Sequence, residues 1–137
     1  MKHKKLKQIS DYFKQFKNFE IKTEDDFLFI NYKLSKDLTV YMVIDDDSDE
    51  ACFYSRVEEH CPSAVMKFIS LSHKARHLNE RVYFNEYDED YVKELKEAFD
   101  NIIKEVYDEL SEIYNTIDEV YEHMHGNFNT LFSNHYE

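Results

Sequence analysis

The sequence predicts an α+β fold: an N-terminal helix, an antiparallel β-meander of about four strands, a short helix and a long amphipathic C-terminal helix. Three observations predict it. Apolar residues recur at three- and four-residue spacing near both ends of the chain, the period of a half-buried helix. Between residues 19 and 57 the pattern shifts to short β-branched and aromatic segments, with alternation in at least two of them. The separators there are "EDD", "SKD" and "DDSDE", which are turn-forming and too short for a crossover, so consecutive strands must be antiparallel neighbours. The length of 137 residues suits one domain spanning 1–137.

Residues 1–17 are expected to form a basic helix. Leu6, Ile9, Phe13 and Phe16 share one face, Lys4, Lys5, Lys7, Lys14 and Lys17 the other, and Asn18 supplies a stop. The meander covers 19–57 in the segments "FEIKT", "FLFINYKL", "LTVYMVID" and "ACFYSRV". In the second, Phe27, Phe29 and Asn31 oppose Leu28, Ile30 and Tyr32; in the third, Leu38, Val40, Met42 and Ile44 oppose Thr39, Tyr41 and Val43. A helix over 62–78 opens at Pro62, a residue suited to a first helical turn, and turns Val65, Phe68, Ile69 and Ser72 inward. "RVYFNE" reads as a short fifth strand or an extended connector.

Residues 87–125 carry the strongest helix pattern. Asn85 or Asp88 is placed to cap it, Asp88, Glu89 and Asp90 load its start with negative charge, and Gly126 follows as a stop. Its apolar stripe is Val92, Leu95, Phe99, Ile103, Val106, Leu110, Ile113, Ile117, Val120 and Met124, a heptad seam with one stutter where Ile102 offers an alternative contact. Val106, Leu110, Ile113, Ile117 and Val120 are the candidate dimer or core seam. Tyr107, Tyr114 and Tyr121 flank and widen it. The tail, 126–137, contributes Phe128, Leu131 and Phe132 and is expected to fold back.

Two residues along from each stripe position lies the opposite face: Glu94, Glu97, Asn101, Glu105, Asp108, Glu112, Asn115, Glu119 and Glu122. No lysine falls in this row, and no basic residue occurs between Glu105 and His123. A solvated helix face normally mixes signs and gains from Glu–Lys pairs at four-residue spacing. Forgoing those pairs suggests a ridge kept for a basic partner. Solvation alone, or neutralisation by the lysine face of the first helix, are the competing explanations. As a copy of nucleic acid the row is sparse: one charge per ~5.4 Å of helix against one per ~1.7 Å of duplex axis. The acidic loop Asp45, Asp46, Asp47, Asp49 and Glu50 could raise the density if it faced the same way.

Charge is distributed unevenly around a net −12: residues 41–60 carry −6 and residues 87–137 carry −11, against +3 for 1–40 and +2 for 61–86. Such an anionic chain is not expected to bind DNA or RNA directly. A phosphate-cradling loop needs glycines for close backbone approach, and the chain has one, Gly126. Two cysteines make no disulfide framework and fit reduced thiols in a cytoplasmic protein. The basic start "MKHKKLK" is followed by the amphipathic "QISDYFKQFKNF" rather than an apolar run, so neither a signal peptide nor a membrane association is expected.

No enzyme motif stands out, and neither a cofactor nor a metal is expected. The Asp45–Glu50 run begins like a calcium loop but has Glu50 at the glycine position and Arg56 at the closing glutamate position. Cys52, Cys61, His73 and His77 have a zinc-like histidine half, with the cysteines too far apart for the usual knuckle. His60 beside Cys61 lacks an orienting third group.

No family motif is present. The order of elements is similar to that of secretion-chaperone-like α+β domains. In size, acidity and the Lys, Asn, Ile, Tyr and Phe bias of an AT-rich gene, the chain resembles phage-encoded inhibitors of host nucleic-acid enzymes, some of which mimic DNA. That resemblance implies a non-enzymatic, anti-defence binding protein whose acidic helix occupies a basic site on a partner, such as a nucleic-acid-binding enzyme. The alternative is a small chaperone or immunity-type protein that forms a homodimer or binds a client through the seam.

Overall fold

Helix α1 (Lys4–Phe13) buries Leu6, Ile9 and Phe13, one residue per turn. Five strands follow the chain in spatial order: β1 (Phe19–Glu24), β2 (Phe27–Lys33), β3 (Leu38–Asp45), β4 (Glu50–Val57) and β5 (Asn79–Tyr83), every neighbouring pair antiparallel. Between β4 and β5 lie two short helices, α2 (Ser63–Ile69) and α3 (His73–His77), and α4 (Tyr91–His125) completes the fold. This computed structural model describes residues 3–125, with side chains described through residue 119. The tail 126–137 and the side chains of Tyr121, Glu122, Val120 and Met124 lie outside the described residues.

The α+β class and element order are those expected from the sequence, with "RVYFNE" resolved in favour of a fifth strand. Boundaries differ in three places. The first helix ends at Phe13 rather than residue 17, and the turn that follows closes at Asn18 in a left-handed conformation (φ 75°), which a short amide side chain tolerates. The helix expected over 62–78 is two helices, because Ser72 leaves the helical conformation and caps α3, its hydroxyl accepting from the Ala75 N–H at 3.2 Å. The long helix starts at Tyr91 rather than residue 87. Asn85 and Asp88 instead hold the turns that lead into it, accepting from the Tyr87 and Asp90 N–H groups.

All four helices contribute to one hydrophobic cluster with Leu28, Ile30, Val40, Met42, Ile44, Ala51 and Phe53, so they share one face of the sheet. Its aromatic centre is Phe99, whose ring lies 5.3 Å from Phe53, 5.4 Å from Phe19 and 6.0 Å from Phe13. Where the sequence stutters, Ile102 takes the buried place and Ile103 packs only partly. Helix α4 has 35 residues, about 52 Å, against about 27 Å for the 8-residue β3, so it runs well past the sheet. Among the described residues no helix is long and apolar enough to cross a membrane.

Candidate functional site

Because the seam points into the sheet, the opposite side of α4 must face solvent. Glu94, Glu97, Glu105, Asp108, Glu112 and Glu119 are all exposed, as are the intervening Asn101 and Asn115. Among the described residues one lysine reaches this row: Lys74 of α3, whose Nζ is 3.3 Å from Glu105 and is shared with Glu80. The first helix does not neutralise the ridge. Its N-terminal end meets the β3–β4 loop, where the Lys5 ammonium donates to the Ser48 carbonyl and lies 5.7 Å from the Phe84 ring. Lys14, just past the end of α1, pairs back with Asp11 at 3.9 Å. Lys96 pairs with Asp100 at 2.7 Å, beside the row rather than in it, and leans over Phe16 and Phe19.

The loop Asp45–Glu50 is a different kind of feature. Asp46 accepts from the His3 backbone N–H at 3.2 Å and faces its imidazole at 3.3 Å. Asp45 accepts from the Asp47 N–H, and Glu50 pairs with Arg81 at 3.2 Å. Three of its five carboxylates therefore hold the turn and its neighbours together, leaving Asp47 and Asp49 as the exposed pair. The loop also sits at the wrong end to extend the lysine-free stretch. Phe84, which donates its N–H to the Asp49 carbonyl, stacks on Tyr91 in the first turn of α4 at 5.6 Å. The stretch from Glu105 to Glu119 lies toward the other end of the helix.

The seam is core. Val106, Leu110, Ile113 and Ile117 are buried against the sheet and α2 of the same chain. Of the flanking tyrosines, Tyr107 is 41% exposed and Tyr114 only 1%. The Tyr114 hydroxyl donates to the Asp37 carboxylate and lies 3.2 Å from the Ser35 hydroxyl. Asp37, 1% exposed, lies near enough to the Cys61 thiol to act on it, while the thiol itself donates to the Pro62 carbonyl at 3.6 Å. This polar node was not legible in the sequence, where "SKD" reads only as a turn.

No nucleophile emerges from it. Burial, with Asp37 adding to it, pushes the Cys61 thiol up to about 12, the reverse of activation. His60 points to solvent and Cys61 into the core, so the adjacent pair is split. Cys52 lies on the far face of the sheet, apart from Cys61. Among the described residues no group of three or more His, Cys, Asp or Glu side chains is placed to hold a metal ion.

The far face of the sheet is a second candidate surface, and its functional potential was missed in the sequence. Two cross-strand rows form its middle: Lys22, Phe29, Val43, Cys52 and Arg81, then Glu20, Asn31, Tyr41, Tyr54 and Asn79. No helix among the described residues covers it. The Tyr41 and Tyr54 rings lie 5.5 Å apart, with the Arg56 guanidinium 5.4 Å from the Tyr41 ring. A groove of about 690 Å³ runs along this face over β1 to β4. The signal present in the sequence is that β2 and β4 place aromatics on both of their faces, Phe27 and Phe29 against Tyr32 and Tyr54 against Phe53. Comparison with known protein families, with characterised proteins and with solved structures finds no match to this chain.

Proposed function

We propose that the protein is a non-enzymatic binding protein whose acidic α4 ridge occupies a basic, nucleic-acid-type site on a partner protein. One observation supports this most: from Asp108 to Glu119 the ridge is exposed and meets no lysine or arginine within ion-pair distance among the described residues. Like charges at four-residue spacing such as Asp108 and Glu112 each cost a helix roughly 0.2–0.5 kcal/mol. A basic partner would remove that repulsion on contact and gain rate from long-range attraction. The acidic loop is a lesser candidate, reduced to Asp47 and Asp49. The alternative, a chaperone or immunity-type role through the seam, has no comparable support, because Val106, Leu110, Ile113 and Ile117 already pack within the chain.

The test is capture of the partner from the native host at low and at high salt. The partner should be retained at low salt, released at high salt and displaced by added duplex DNA. Replacing Glu105, Asp108, Glu112 and Glu119 with lysine should leave the fold intact, since all four are exposed, and abolish capture. A folded quadruple variant that still holds the partner normally would sink the proposal.

A further inference from the structure

The uncovered face of the sheet carries an inference independent of the acidic ridge. It is apolar and aromatic in its centre, with Phe29, Tyr41, Val43, Cys52 and Tyr54 half-buried by their neighbours. Its edges are charged but locally balanced. Lys22 pairs with Glu20 at 3.0 Å, Arg56 with Glu58 at 3.8 Å and Arg81 with Glu50 at 3.2 Å. A face with matched ions and an aromatic middle does not select an anion or a nucleic acid. It has the composition of a protein interface: Tyr and Phe toward the centre, a charged and polar rim with Arg56 and Arg81 around them.

We propose that this face binds a second copy of the chain, sheet against sheet, about a two-fold axis that runs across the strands. The charge pattern selects that axis. With the axis passing between the two middle rows, each strand lies over its own copy with its ends exchanged. Lys22 then faces Glu20 of the other copy, Glu50 faces Arg56, and Phe27 faces Lys33, following the register of the strands. The apolar positions also meet: Val43 faces Tyr41 and Cys52 faces Tyr54. An axis along the strands would instead place Lys22 over Arg81 and Lys33 over Arg56, setting like charges face to face. Packed sheets cross at about 30°, which shifts the outer contacts by a few ångströms and leaves these row assignments in place.

The area suffices. Five strands spaced ~4.8 Å apart and about seven residues long present roughly 550 Å² in projection per copy. Two copies bury at least ~1,100 Å², close to the lower end of stable interfaces at about 1,200 Å². An interface at this lower end of the size range suits a reversible rather than a permanent dimer.

Sedimentation velocity of the full chain over roughly 1–200 µM, bracketing the micromolar range, tests this. A concentration-dependent dimer is expected. Phe29→Asp, on the exposed side of β2, should leave a folded monomer throughout that range. Glu20→Lys should weaken the dimer roughly two- to tenfold by setting Lys22 against a lysine. Adding Lys22→Glu to it should restore wild-type association, because the pair is then exchanged. A wild-type monomer at the highest concentration overturns the proposal. So does a dimer indifferent to Phe29→Asp, or one that the exchanged pair fails to restore. Because the ridge is on the other side of the sheet, none of these results bears on partner capture by α4.

Discussion

Tyr107 and Tyr114 stand seven residues apart on one helix, and their environments are opposite. Tyr107 keeps a large exposed surface, while Tyr114 is enclosed and supplies the proton that a buried carboxylate needs. A charge such as Asp37 is costly inside a protein unless donors converge on it. Removing the hydroxyl takes one donor from Asp37, so Tyr114→Phe is expected to lower unfolding free energy by about 1–3 kcal/mol in urea titrations. A variant as stable as wild type would mean that Asp37 does not depend on Tyr114. The same node gives the protein an alkaline limit. Burial and Asp37 raise the Cys61 thiol from 9.0 to about 12, so the folded chain keeps a proton that the unfolded chain releases. That contribution is whole below pH ~9 and fades as pH rises toward ~12. Tyr114, raised by burial and then by Asp37, acts in the same direction at higher pH. Melting temperature should therefore fall between pH ~9 and ~12, and less steeply in Cys61→Ala.

At the scale of elements, α4 shows what a repulsive face means energetically. The double variant Asp108→Gln, Glu112→Gln should melt slightly higher than wild type, by roughly 0.2–0.5 kcal/mol, since it removes a like-charge pair from exposed positions. An unchanged or lower melting temperature would show that the ridge imposes no cost, weakening the argument that it is kept for a partner. The two faces of this helix were legible in advance because seam and ridge repeat over several heptads, and a long repeat leaves few alternatives. The meander was legible from turn chemistry and alternation. What the sequence could not reveal depends on contacts between distant residues. Asp37 and Tyr114 are 77 positions apart. Nothing local distinguishes Asp37 from the other turn aspartates, or shows that Lys5 of α1 is buried against the β3–β4 loop while Lys4, Lys7 and Lys14 stay exposed. The break at Ser72 was hidden for a related reason: Val65, Phe68, Ile69 and Ala75 sustain a helical period across it, and the period says nothing of a capping hydroxyl.

For the whole molecule, the helices form one layer and the sheet the other, so the two candidate surfaces look in opposite directions. The strand order has a further consequence, for synthesis. Every strand pairs with the one before it, so the sheet is built from local hairpins that can close quickly. The long helix that packs on it is made only after all five strands. Until Tyr91 and the residues after it are available, the apolar side of β2, β3 and β4 has only Leu6, Ile9 and Phe13 of α1, with the short α2 and α3, to shelter it. A nascent chain therefore passes through a stage in which a nearly complete sheet displays its future core. Pulsed hydrogen exchange during refolding should find the amides of β2 to β4 protected before those of α4; simultaneous protection would show that sheet and helix form together. α1 then acts as an escort within the chain, holding part of the vulnerable surface until the long helix arrives to relieve it.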